Sequence, residues 1–381
     1  MDTLTAPVAG LSIAPPVWIE VDLGAIRHNY QQVRQYVGPR QKILTVIKAN
    51  AYGHGLLPVA QTLLAAGADL LGVASVAEGV ALRRAAVGGK VFVMGQLLPD
   101  EAPLVVAHDL TQSVSDEAGA QALAQAAAVQ EKPVAVHLKI DTGMGRYGVW
   151  LEEAVPLFRK LGRLPGLKTE GVFTHFSSAG RNLQATQEQL SRFSRCIEDL
   201  NGAGLDAGIR HAANSAALLK FPESRWDLVR TGLLIYGASP VLQDLPLELK
   251  PALSLKSRVR FIKKIQPGQT VSYGGTWKAE RPSWVATLPV GYAHGYTRAL
   301  SNKAELLIRG RRVPVIGRIT MEDLMADVTQ VPETAIGDEA VLIGRQGGET
   351  ITAEELARHA RTIPYEILVG LSPRISRIYA S

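Results

Sequence analysis

The stretch ILTVIKANAYGHG, residues 43–55, decides the fold prediction because it joins a buried strand to a polar turn. Five apolar or β-branched residues precede Lys48, and two glycines follow within the turn. A short, continuously apolar run of this kind is typical of a strand that is buried on both faces, as in a parallel sheet. The strand is predicted to end at Lys48, with the polar residues of the turn beyond it.

The same unit of a strand followed by a helix repeats from about residue 40 to residue 235. In residues 187–204, for example, Leu190, Phe193, Ile197 and Leu200 recur at helical spacing. Eight such units predict an α/β fold, a parallel (β/α)8 barrel of the TIM type. A doubly wound open sheet is the alternative, although its GxGxxG fingerprint is absent after the first strand. The predicted strands are Ile43–Lys48, Asp69–Ala74, Val91–Met94, Leu110–Val114, Val134–Ile140, Gly171–His175, Ile209–Ala212 and Leu228–Thr231.

The pattern changes near Pro251, beyond which short alternating strands predominate. Residues 251–381 are predicted to form a mostly-β domain. One helix is expected there, after a capping box of Thr352 and Glu355. The predicted organisation is therefore a flexible tail at residues 1–16, a barrel at residues 17–250 and a β domain at residues 251–381.

Composition narrows the class of protein. Hydrophobic residues at 46% and charged residues at 20% are typical of a globular enzyme and argue against disorder. The net charge of +6 is scattered, which favours small anionic ligands over nucleic acid. The only cysteine, Cys196, suits a reducing compartment, and no apolar run is long enough to span a bilayer. We expect a soluble cytoplasmic enzyme with no membrane partner and no metal site.

In a barrel of this type the active residues lie at the C-terminal ends of the strands. Five predicted strands end in cationic, hydroxyl or small residues, a composition that suits a ligand carrying a phosphate. A lysine at a strand end, such as Lys48, often has no functional role: its alkyl stem packs on the protein and its charged amine reaches solvent. A partly desolvated lysine, however, has a lowered pKa and can attack a carbonyl carbon. The strand-end residues are Lys48 and Tyr52, Lys139 and Arg146, Thr174 and His175, Asn214 and Ser215, and Arg230, Thr231 and Gly232.

Nine motifs follow one another in order between residues 43 and 379. They begin with VIKANAYGHG and continue with KIDTGMGRYG, THFSSA, HAANSAA, VRTGLLIYG, VSYGGTW, VGYAHGY, GRITMED and PYEILVGLSPRISRIY. The set resembles the motifs of the alanine racemases, which are fold-type-III pyridoxal-phosphate enzymes. The resemblance implies a barrel joined to a β domain and pyridoxal 5'-phosphate as cofactor. It also implies a homodimer with two shared active sites, which interconverts L- and D-alanine and supplies D-alanine for peptidoglycan.

The resemblance assigns the two catalytic bases. Lys48 is implied to bind the cofactor covalently and to act on one face of the substrate Cα, and Tyr273 of the partner subunit acts on the other. Two bases are needed because racemisation removes a proton from one face and returns one to the opposite face. His175 and Arg230 are implied to support the tyrosine. Arg230 also faces the pyridine nitrogen, to which an arginine cannot give a full proton, so the ring is a weaker electron sink.

Other family positions map onto cofactor and substrate contacts. Ser215 is predicted to open a helix, where an anion is favoured, or to act as a plain N-cap. Arg146 is implied to bind the substrate carboxylate, because a guanidinium matches its geometry. Met321 is implied to contribute its backbone N–H from the second subunit. The implied cofactor-binding residues are Lys48, Tyr52, His175, Asn214, Ser215, Arg230, Gly232, Leu233 and Tyr365.

Lys139 matches a lysine that is carbamylated in many family members. The alternative is an unmodified lysine paired with a carboxylate such as Asp141. Tyr292, Arg298 and Arg318 match positions that line the family's substrate corridor. Tyr365 favours a small substrate side chain such as that of alanine.

Two positions depart from the family pattern. His294 stands where VGYADG has aspartate, and Glu322 follows Met321 where aspartate is frequent. Both departures bear on the electrostatics and pH dependence of the site entrance. Three other readings stay open: a racemase of serine or another amino acid, a fold-type-III amino-acid decarboxylase, and a non-catalytic carrier of pyridoxal phosphate. The carrier would need neither the β domain nor Tyr273.

Overall fold

The computed structural model describes residues 15–239, 241 and 245–380. The predicted tail lies outside the described residues except for its last two positions. The chain forms two compact units. One unit is Asp22–Ala252, and the other joins the described residues before Asp22 to Leu253–Ala380.

The first strand, β1 (Val17–Asp22), pairs antiparallel with residues 253–257. The sequence predicts a barrel from residue 17, whereas these contacts group residues 17–21 with the C-terminal unit. Periodicity could not reveal this pairing, because the two strands are far apart along the chain. Hydrophobic patterning identifies a strand but not its distant partner.

The first unit contains, within the described residues, eight parallel strands in one sheet. They run in sequential order, and the last strand pairs with the first, so the (β/α)8 prediction is confirmed and the doubly wound alternative is wrong. The remaining gap is bridged by Arg210, whose backbone N–H and Nε both donate to Asp227 Oδ2 at 2.8 and 2.7 Å. The strands are β2 (Lys42–Val46), β3 (Leu70–Val73), β4 (Lys90–Val93), β5 (Leu110–Val114), β6 (Val134–Lys139), β7 (Leu167–Phe173), β8 (Ile209–His211) and β9 (Leu228–Thr231).

Strand ends differ slightly from the predictions. β2 ends at Val46, so Lys48 follows the strand instead of ending it. β7 begins at Leu167 instead of Gly171, and its first four residues are partly buried or exposed, so they do not form part of an apolar run. His175 therefore lies beyond the strand, in the loop at its C-terminal end.

Helices follow the strands around the barrel. The longest, α8, buries Leu190, Phe193, Ile197 and Leu200 as predicted, and Asn182 caps its start by accepting from Ala185 N at 3.0 Å. The helices of this unit are α1 (Leu23–Val37), α2 (Lys48–Tyr52), α3 (Leu56–Ala65), α4 (Val76–Arg84), α5 (Ala102–Ala107), α6 (Glu117–Val129), α7 (Leu151–Leu161), α8 (Leu183–Gly202) and α9 (Ser215–Lys220). Short 3-10 helices cover Pro99–Glu101, Pro222–Ser224 and Leu233–Tyr236. No helix in the described ranges is long and apolar enough to cross a membrane.

The C-terminal unit is mostly β, as predicted. Its largest sheet has the order β16-β15-β18-β10-β1-β20, with β19 paired to β18; β11-β14-β17 and β12-β13 form smaller sheets. These strands are β10 (Leu253–Arg258), β11 (Phe261–Ile265), β12 (Thr270–Val271), β13 (Trp277–Lys278), β14 (Ser283–Leu288), β15 (Glu305–Ile308), β16 (Arg311–Pro314), β17 (Leu324–Asp327), β18 (Glu339–Gln346), β19 (Glu349–Ile351) and β20 (Ser376–Ala380).

Two helices, α10 (Ala353–Ala360) and α11 (Pro364–Val369), belong to this unit. The predicted helix start after Thr352 is confirmed, since Thr352 Oγ1 accepts from Glu355 N at 3.1 Å. The Glu355 carboxylate accepts from Arg312 at 2.8 Å. Short 3-10 helices at Tyr273–Gly275, Tyr292–His294 and Arg298–Leu300 carry several of the predicted site residues.

Candidate active site

The turn that follows β2 has a left-handed backbone. Residues 49–52 all have φ of 53 or 54°. None is a glycine, and each such residue costs roughly 1–2 kcal/mol relative to a right-handed conformation. Local hydrogen bonds hold the turn: Ala51 N–H donates to Ile47 O at 2.8 Å, and Leu56 N–H donates to Asn50 Oδ1 at 2.8 Å. A strained backbone of this kind at a strand end is typical of functional sites.

Four cationic side chains influence one another at this end of the barrel. Burial, and then Arg146, lower the pKa of Lys48, and only Glu78 acts in the opposite direction. Burial, and then Arg146 and Arg230, lower the pKa of Lys139 to about 8. Positive charge therefore concentrates where the sequence predicts an anionic ligand.

Arg230 is buried and held by several acceptors. Its Nη2 donates to Thr174 O at 2.7 Å and to Ala212 O at 2.9 Å. Its Nη1 lies 3.1 Å from His211 Nδ1, and its Nη2 lies 3.3 Å from His175 Nδ1. Burial lowers the pKa of Arg230 to about 9, so the guanidinium is still a cation at neutral pH.

These contacts fix the tautomers of the histidines, because an arginine can only donate. The Nδ1 atoms of His175 and His211 must accept, so each ring carries its proton on Nε2. His211 Nε2 then donates to His137 Nδ1 at 2.8 Å. Burial, and then Arg230, hold the pKa of both His175 and His211 well below the ordinary range, and burial lowers that of His137 to about 4. All three rings are neutral.

Sequence reasoning missed His211 and His137. His211 ends β8 inside the HAANSAA motif, so its strand-end position was a usable signal. His137 lies two residues before Lys139 on β6, and residues at that spacing share a face of a strand. The buried histidine pair could thus have been inferred from the lysine.

Asp141 organises the loop that carries Arg146. Its Oδ1 accepts from Gly143 N and Met144 N at 2.8 Å, and its Oδ2 accepts from Gly145 N at 2.8 Å and Arg146 N at 3.3 Å. Asp141 therefore contacts four backbone amides and forms no ion pair with Lys139, although its charge still acts to raise the pKa of that lysine.

Lys139 forms no ion pair with a carboxylate within the described part of the chain. Its Nζ lies 5.2 Å from the centroid of the Tyr147 ring and 5.5 Å from that of Phe173. The side chain is buried. The lysine thus sits among aromatic rings and other cations, which explains its lowered pKa.

Tyr52, Ser215 and Gly232 meet at a second corner of the barrel end. Gly232 N–H donates to Ser215 Oγ at 3.0 Å, and a Cβ on Gly232 would come within 2.5 Å of Tyr52 Oη. Leu233, the next residue, begins a 3-10 helix. Any larger residue at this position would require the phenol or the backbone to move.

The helix predicted to open at Ser215 is confirmed as α9, but its cap is Asn214. Asn214 Oδ1 accepts from Ala216 N at 3.1 Å and Ala217 N at 3.0 Å. The reading of Ser215 as a plain N-cap is therefore wrong. Any contact of Asn214 with a cofactor would go through its amide nitrogen.

The C-terminal unit carries the remaining predicted residues on linked loops. Tyr292 N–H donates to Thr320 O at 3.1 Å, and Ala293 N–H donates to Met321 O at 3.0 Å. The Tyr292 and Met321 loops are therefore joined through the backbone. Both side chains are exposed.

Tyr273 lies on a neighbouring loop of the same unit. Ser272, just before it, donates from Oγ to Arg318 O at 2.6 Å. Arg318 and Arg298 line one cavity of about 280 Å³ together with Lys303. Tyr365 lies half-buried in α11, and burial raises its pKa to about 12.

His294 and Glu322, the two departures from the family pattern, lie near each other. Gly291 N–H donates to His294 Nδ1 at 3.2 Å, and Glu322 Oε2 lies 3.8 Å from the same nitrogen. Arg374 Nη1 lies 3.4 Å from Glu322 Oε1. Burial lowers the pKa of His294.

Two family models match nearly the whole chain: residues 21–240 match the alanine racemase N-terminal domain, and residues 252–379 match the alanine racemase C-terminal domain. The chain belongs to the alanine racemase family. It is 44% identical to an alanine racemase of Halothermothrix orenii over 370 residues, which cover 96% of this chain and 97% of that one. It is 45% identical to an alanine racemase of Symbiobacterium thermophilum over 366 residues, again covering 96% of this chain and 97% of that one.

Solved alanine racemase structures share the fold. A Bacillus anthracis alanine racemase with bound L-Ala-P superposes with a TM-score of 0.90 at 35% identity, covering 97% of this chain and 96% of the other. An alanine racemase from D-cycloserine-producing Streptomyces lavendulae superposes with a TM-score of 0.91 at 33% identity, covering 97% and 98%. The resemblance stated from the motifs is thus confirmed, and the chain is an enzyme of an isomerase family.

Proposed function

We propose that this chain interconverts L- and D-alanine with pyridoxal 5'-phosphate as cofactor. The two proposed bases are Lys48 and Tyr273 of the partner subunit. The observation that carries the proposal is the convergence of four cations, Lys48, Lys139, Arg146 and Arg230, at one end of the barrel. An anionic cofactor and an anionic substrate are the ligands that such a cluster favours.

The residues present fit pyridoxal phosphate. The corner of Tyr52, Ser215 and Gly232 offers hydroxyls and a backbone lacking a Cβ, and the N–H of Leu233 lies at the start of a 3-10 helix. Hydroxyl and backbone N–H donors are what a phosphate group requires. Lys48 supplies an amine for the aldehyde. We therefore assign the phosphate to this corner and the aldehyde to Lys48; the family resemblance is what adds Tyr365 to the proposed phosphate ligands.

When bound, pyridoxal phosphate acts as an electron sink that makes the substrate Cα proton acidic. Lys48 can remove or return this proton on one face, because its lowered pKa leaves more of the amine uncharged. Arg146 would bind the substrate carboxylate through its guanidinium. The four hydrogen bonds of Asp141 hold the loop of Arg146 in place for that contact.

Arg230 would donate a hydrogen bond, and not a full proton, to the pyridine nitrogen. Its Nη1 and Nη2 contact two carbonyls and two neutral imidazoles, so the guanidinium cannot turn away easily. Arg230 would thus leave the ring a weaker electron sink, which would suppress side reactions such as transamination. His175 carries its proton on Nε2, so it can donate to a phenolate oxygen and lower the pKa of a tyrosine base.

Lys139 is proposed to carry a carbamate. With a pKa of about 8, a useful fraction of its amine is uncharged near neutral pH and can attack carbon dioxide. The Lys139 cation first loses one proton; the amine nitrogen then bonds to the carbon of carbon dioxide as one C–O π bond breaks, and a second proton leaves the nitrogen, so that a cation becomes an anion. The anion would then add negative charge beside Arg146 and Arg230, where Asp141 and Glu78 are the carboxylates that act on the two lysines.

A homodimer is proposed because the C-terminal unit exposes the large side chains assigned to the site. Tyr273, Tyr292 and Met321 are all exposed in a single copy of the chain. In a dimer each would be contributed to the site of the partner subunit. The cellular role proposed, supply of D-alanine for peptidoglycan from the cytoplasm, is supported by the family and not by any contact.

Chiral analysis of the products tests the proposed function. The pure protein with pyridoxal phosphate is incubated with L-alanine and with a panel of other L-amino acids, and Lys48→Ala serves as the control. We expect D-alanine to form fastest and to be absent with the variant. Preference for L-serine would overturn only the specificity. Release of carbon dioxide without racemisation would favour a decarboxylase, and bound cofactor with no reaction would favour a carrier.

A further inference from the structure

Glu78, in the first turn of α4, connects the ends of two neighbouring strands. Its Oε1 accepts from Ala49 N at 2.6 Å, and its Oε2 accepts from Ala74 N at 2.8 Å. Ala49 follows β2 and Ala74 follows β3, and these strands are paired in the barrel sheet. One half-buried carboxylate thus binds an amide beyond each strand end, and we call this contact the Glu78 bridge.

Helix capping does not require this geometry. Ser75 caps α4, since its Oγ accepts from Glu78 N at 3.3 Å. In a full capping box the glutamate side chain reaches back to the N–H of the cap residue itself. Here the side chain reaches past Ser75 to Ala74 and across to Ala49. The second contact has nothing to do with the helix, so it calls for a different explanation.

The amide of Ala49 belongs to the peptide unit that joins Lys48 to the left-handed turn. Residues 49–52 adopt unfavourable dihedral angles, so the turn persists only where its surroundings hold it. The Glu78 bridge fixes the plane of the Lys48–Ala49 peptide at the first residue of that turn. A peptide that is fixed there also fixes the direction in which the Lys48 side chain leaves the backbone.

We propose that Glu78 is a positioning residue that holds the left-handed turn and thereby aims the Lys48 amine for reaction with the cofactor and substrate. The inference rests on the proposed function for the role of Lys48, but not for the bridge itself. The carboxylate also acts on Lys48 through its charge, as the acidic group that opposes the effect of Arg146. Glu78 therefore acts on the Lys48 amine in two ways, through its hydrogen bond to Ala49 N and through its charge.

Glu78→Gln separates this role from helix capping. Glutamine serves a capping box as well as glutamate does, but it offers one acceptor oxygen, and its NH2 group would oppose the second amide. We expect the thermal midpoint to change little. We also expect hydrogen exchange at the amides of Ala49 and Ala74 in the full-length protein, without and with pyridoxal phosphate, to become faster by about tenfold. Lys48 should capture the cofactor more slowly, as followed by absorbance, and kcat should fall by about tenfold with little change in KM.

Asp116→Asn is the matched control. Asp116 caps α6 by accepting from Gly119 N at 2.7 Å, and no contact joins it to the turn after β2 among the described residues. This variant should leave exchange at Ala49, cofactor capture and kcat unchanged.

The outcomes are distinct. Unchanged exchange at Ala49 in Glu78→Gln would overturn the bridge. Faster exchange with unchanged cofactor capture and kcat would overturn the positioning role. If the wild-type protein racemised no amino acid but the exchange and capture effects appeared, the proposed function would fail and the positioning role would stand.

Discussion

The two units of the molecule present their site residues in opposite ways. In the barrel, Arg230 and Asp141 are buried and held by hydrogen bonds: Arg230 contacts four acceptors, and Asp141 accepts from four backbone amides, one of them that of the exposed Arg146. In the C-terminal unit, Tyr273 is 71% exposed and Met321 is 55% exposed. Catalysis requires groups whose positions are fixed before the substrate arrives. Arg230 and Asp141 meet this requirement within one chain, whereas Tyr273 and Met321, in the roles proposed for them, would need another surface to fix them.

Complementation between inactive variants tests this difference between the two units, and it has the largest expected effect. In a dimer with shared sites, each site takes Lys48 from one copy and Tyr273 from the other. A hybrid of a Lys48→Ala copy and a Tyr273→Phe copy then has one complete site. We expect each parent dimer to be inactive and the hybrid, purified through two different tags, to recover about half of the wild-type racemase activity.

The control is a hybrid in which both changes lie in the barrel. If one copy carries Lys48→Ala and the other carries Arg230→Ala, each site lacks one barrel residue, so no activity should return. No activity in the Lys48 and Tyr273 hybrid would show that each chain builds its whole site alone. Activity in the control would show that one site takes Lys48 and Arg230 from different copies.

The two units also differ in how much of their structure could be predicted from the sequence alone. The barrel strands were predictable because buried parallel strands are continuous apolar runs, and Lys48 and Arg146 followed from strand ends and family motifs. The left-handed backbone at residues 49–52 was not predictable, because none of these four residues is a glycine. Neither was the Glu78 bridge, since its SxxE spacing is that of an ordinary capping box. Contacts between residues that are far apart along the chain do not appear in the hydrophobic periodicity of the sequence.

Gly232→Ala tests whether the barrel corner is as tightly built as the structure indicates. The added Cβ would come within 2.5 Å of Tyr52 Oη, so either the phenol or the backbone must move. Overpacking of this kind costs about 1–3 kcal/mol, which corresponds to a roughly 5–150-fold weaker Kd for pyridoxal phosphate in a fluorescence titration.

Gly202→Ala is the matched control, because a Cβ there meets no atom within 4 Å. It should leave the cofactor Kd unchanged. An unaltered Kd in Gly232→Ala would mean that Tyr52 is free to move aside and does not help to hold the phosphate.

Removing the proposed carbamate of Lys139 tests whether the cationic cluster of the barrel requires an added negative charge. Because the pKa is lowered to about 8, about a tenth of the amine is uncharged at pH 7, and the fraction able to form a carbamate rises between pH 7 and pH 8. We expect removal of carbon dioxide and bicarbonate to lower racemase activity by roughly tenfold, within the range for loss of one positioned charge. Added bicarbonate should restore it, and Lys139→Ala should not respond.

The measurement pairs activity assays with carbon-13 spectra of protein equilibrated in labelled carbon dioxide. Lys132→Ala is the control, since Lys132 forms a surface ion pair with Asp109 at 2.7 Å and should not change the labelled signal. A labelled carbamate signal that survived in Lys139→Ala would assign the modification to another amine.

His294→Asp tests how a residue of the C-terminal unit contributes to the pH dependence of stability, and it has the smallest expected effect. Burial lowers the pKa of His294; Glu322 and Asp323 oppose this, while Arg374 and Arg260 add to it. A depressed pKa means that the neutral ring stabilises the fold above its ordinary pKa of 6.5, and that this stability is lost as pH falls through the lower folded-state value. The physical event is the loss of the acceptor for Gly291 N–H, which needs an unprotonated Nδ1.

Aspartate keeps an ionised acceptor to lower pH than histidine does. Between pH 7 and pH 5 the thermal midpoint of the wild-type protein should therefore fall further than that of His294→Asp, by about 2 °C in calorimetry. The difference between the two proteins isolates this one group, because the buried histidines of the barrel titrate identically in both. Parallel curves would mean that the Gly291 contact does not depend on the charge of residue 294. The change from the family's aspartate would then have no consequence for the pH response of the loop that carries Tyr292.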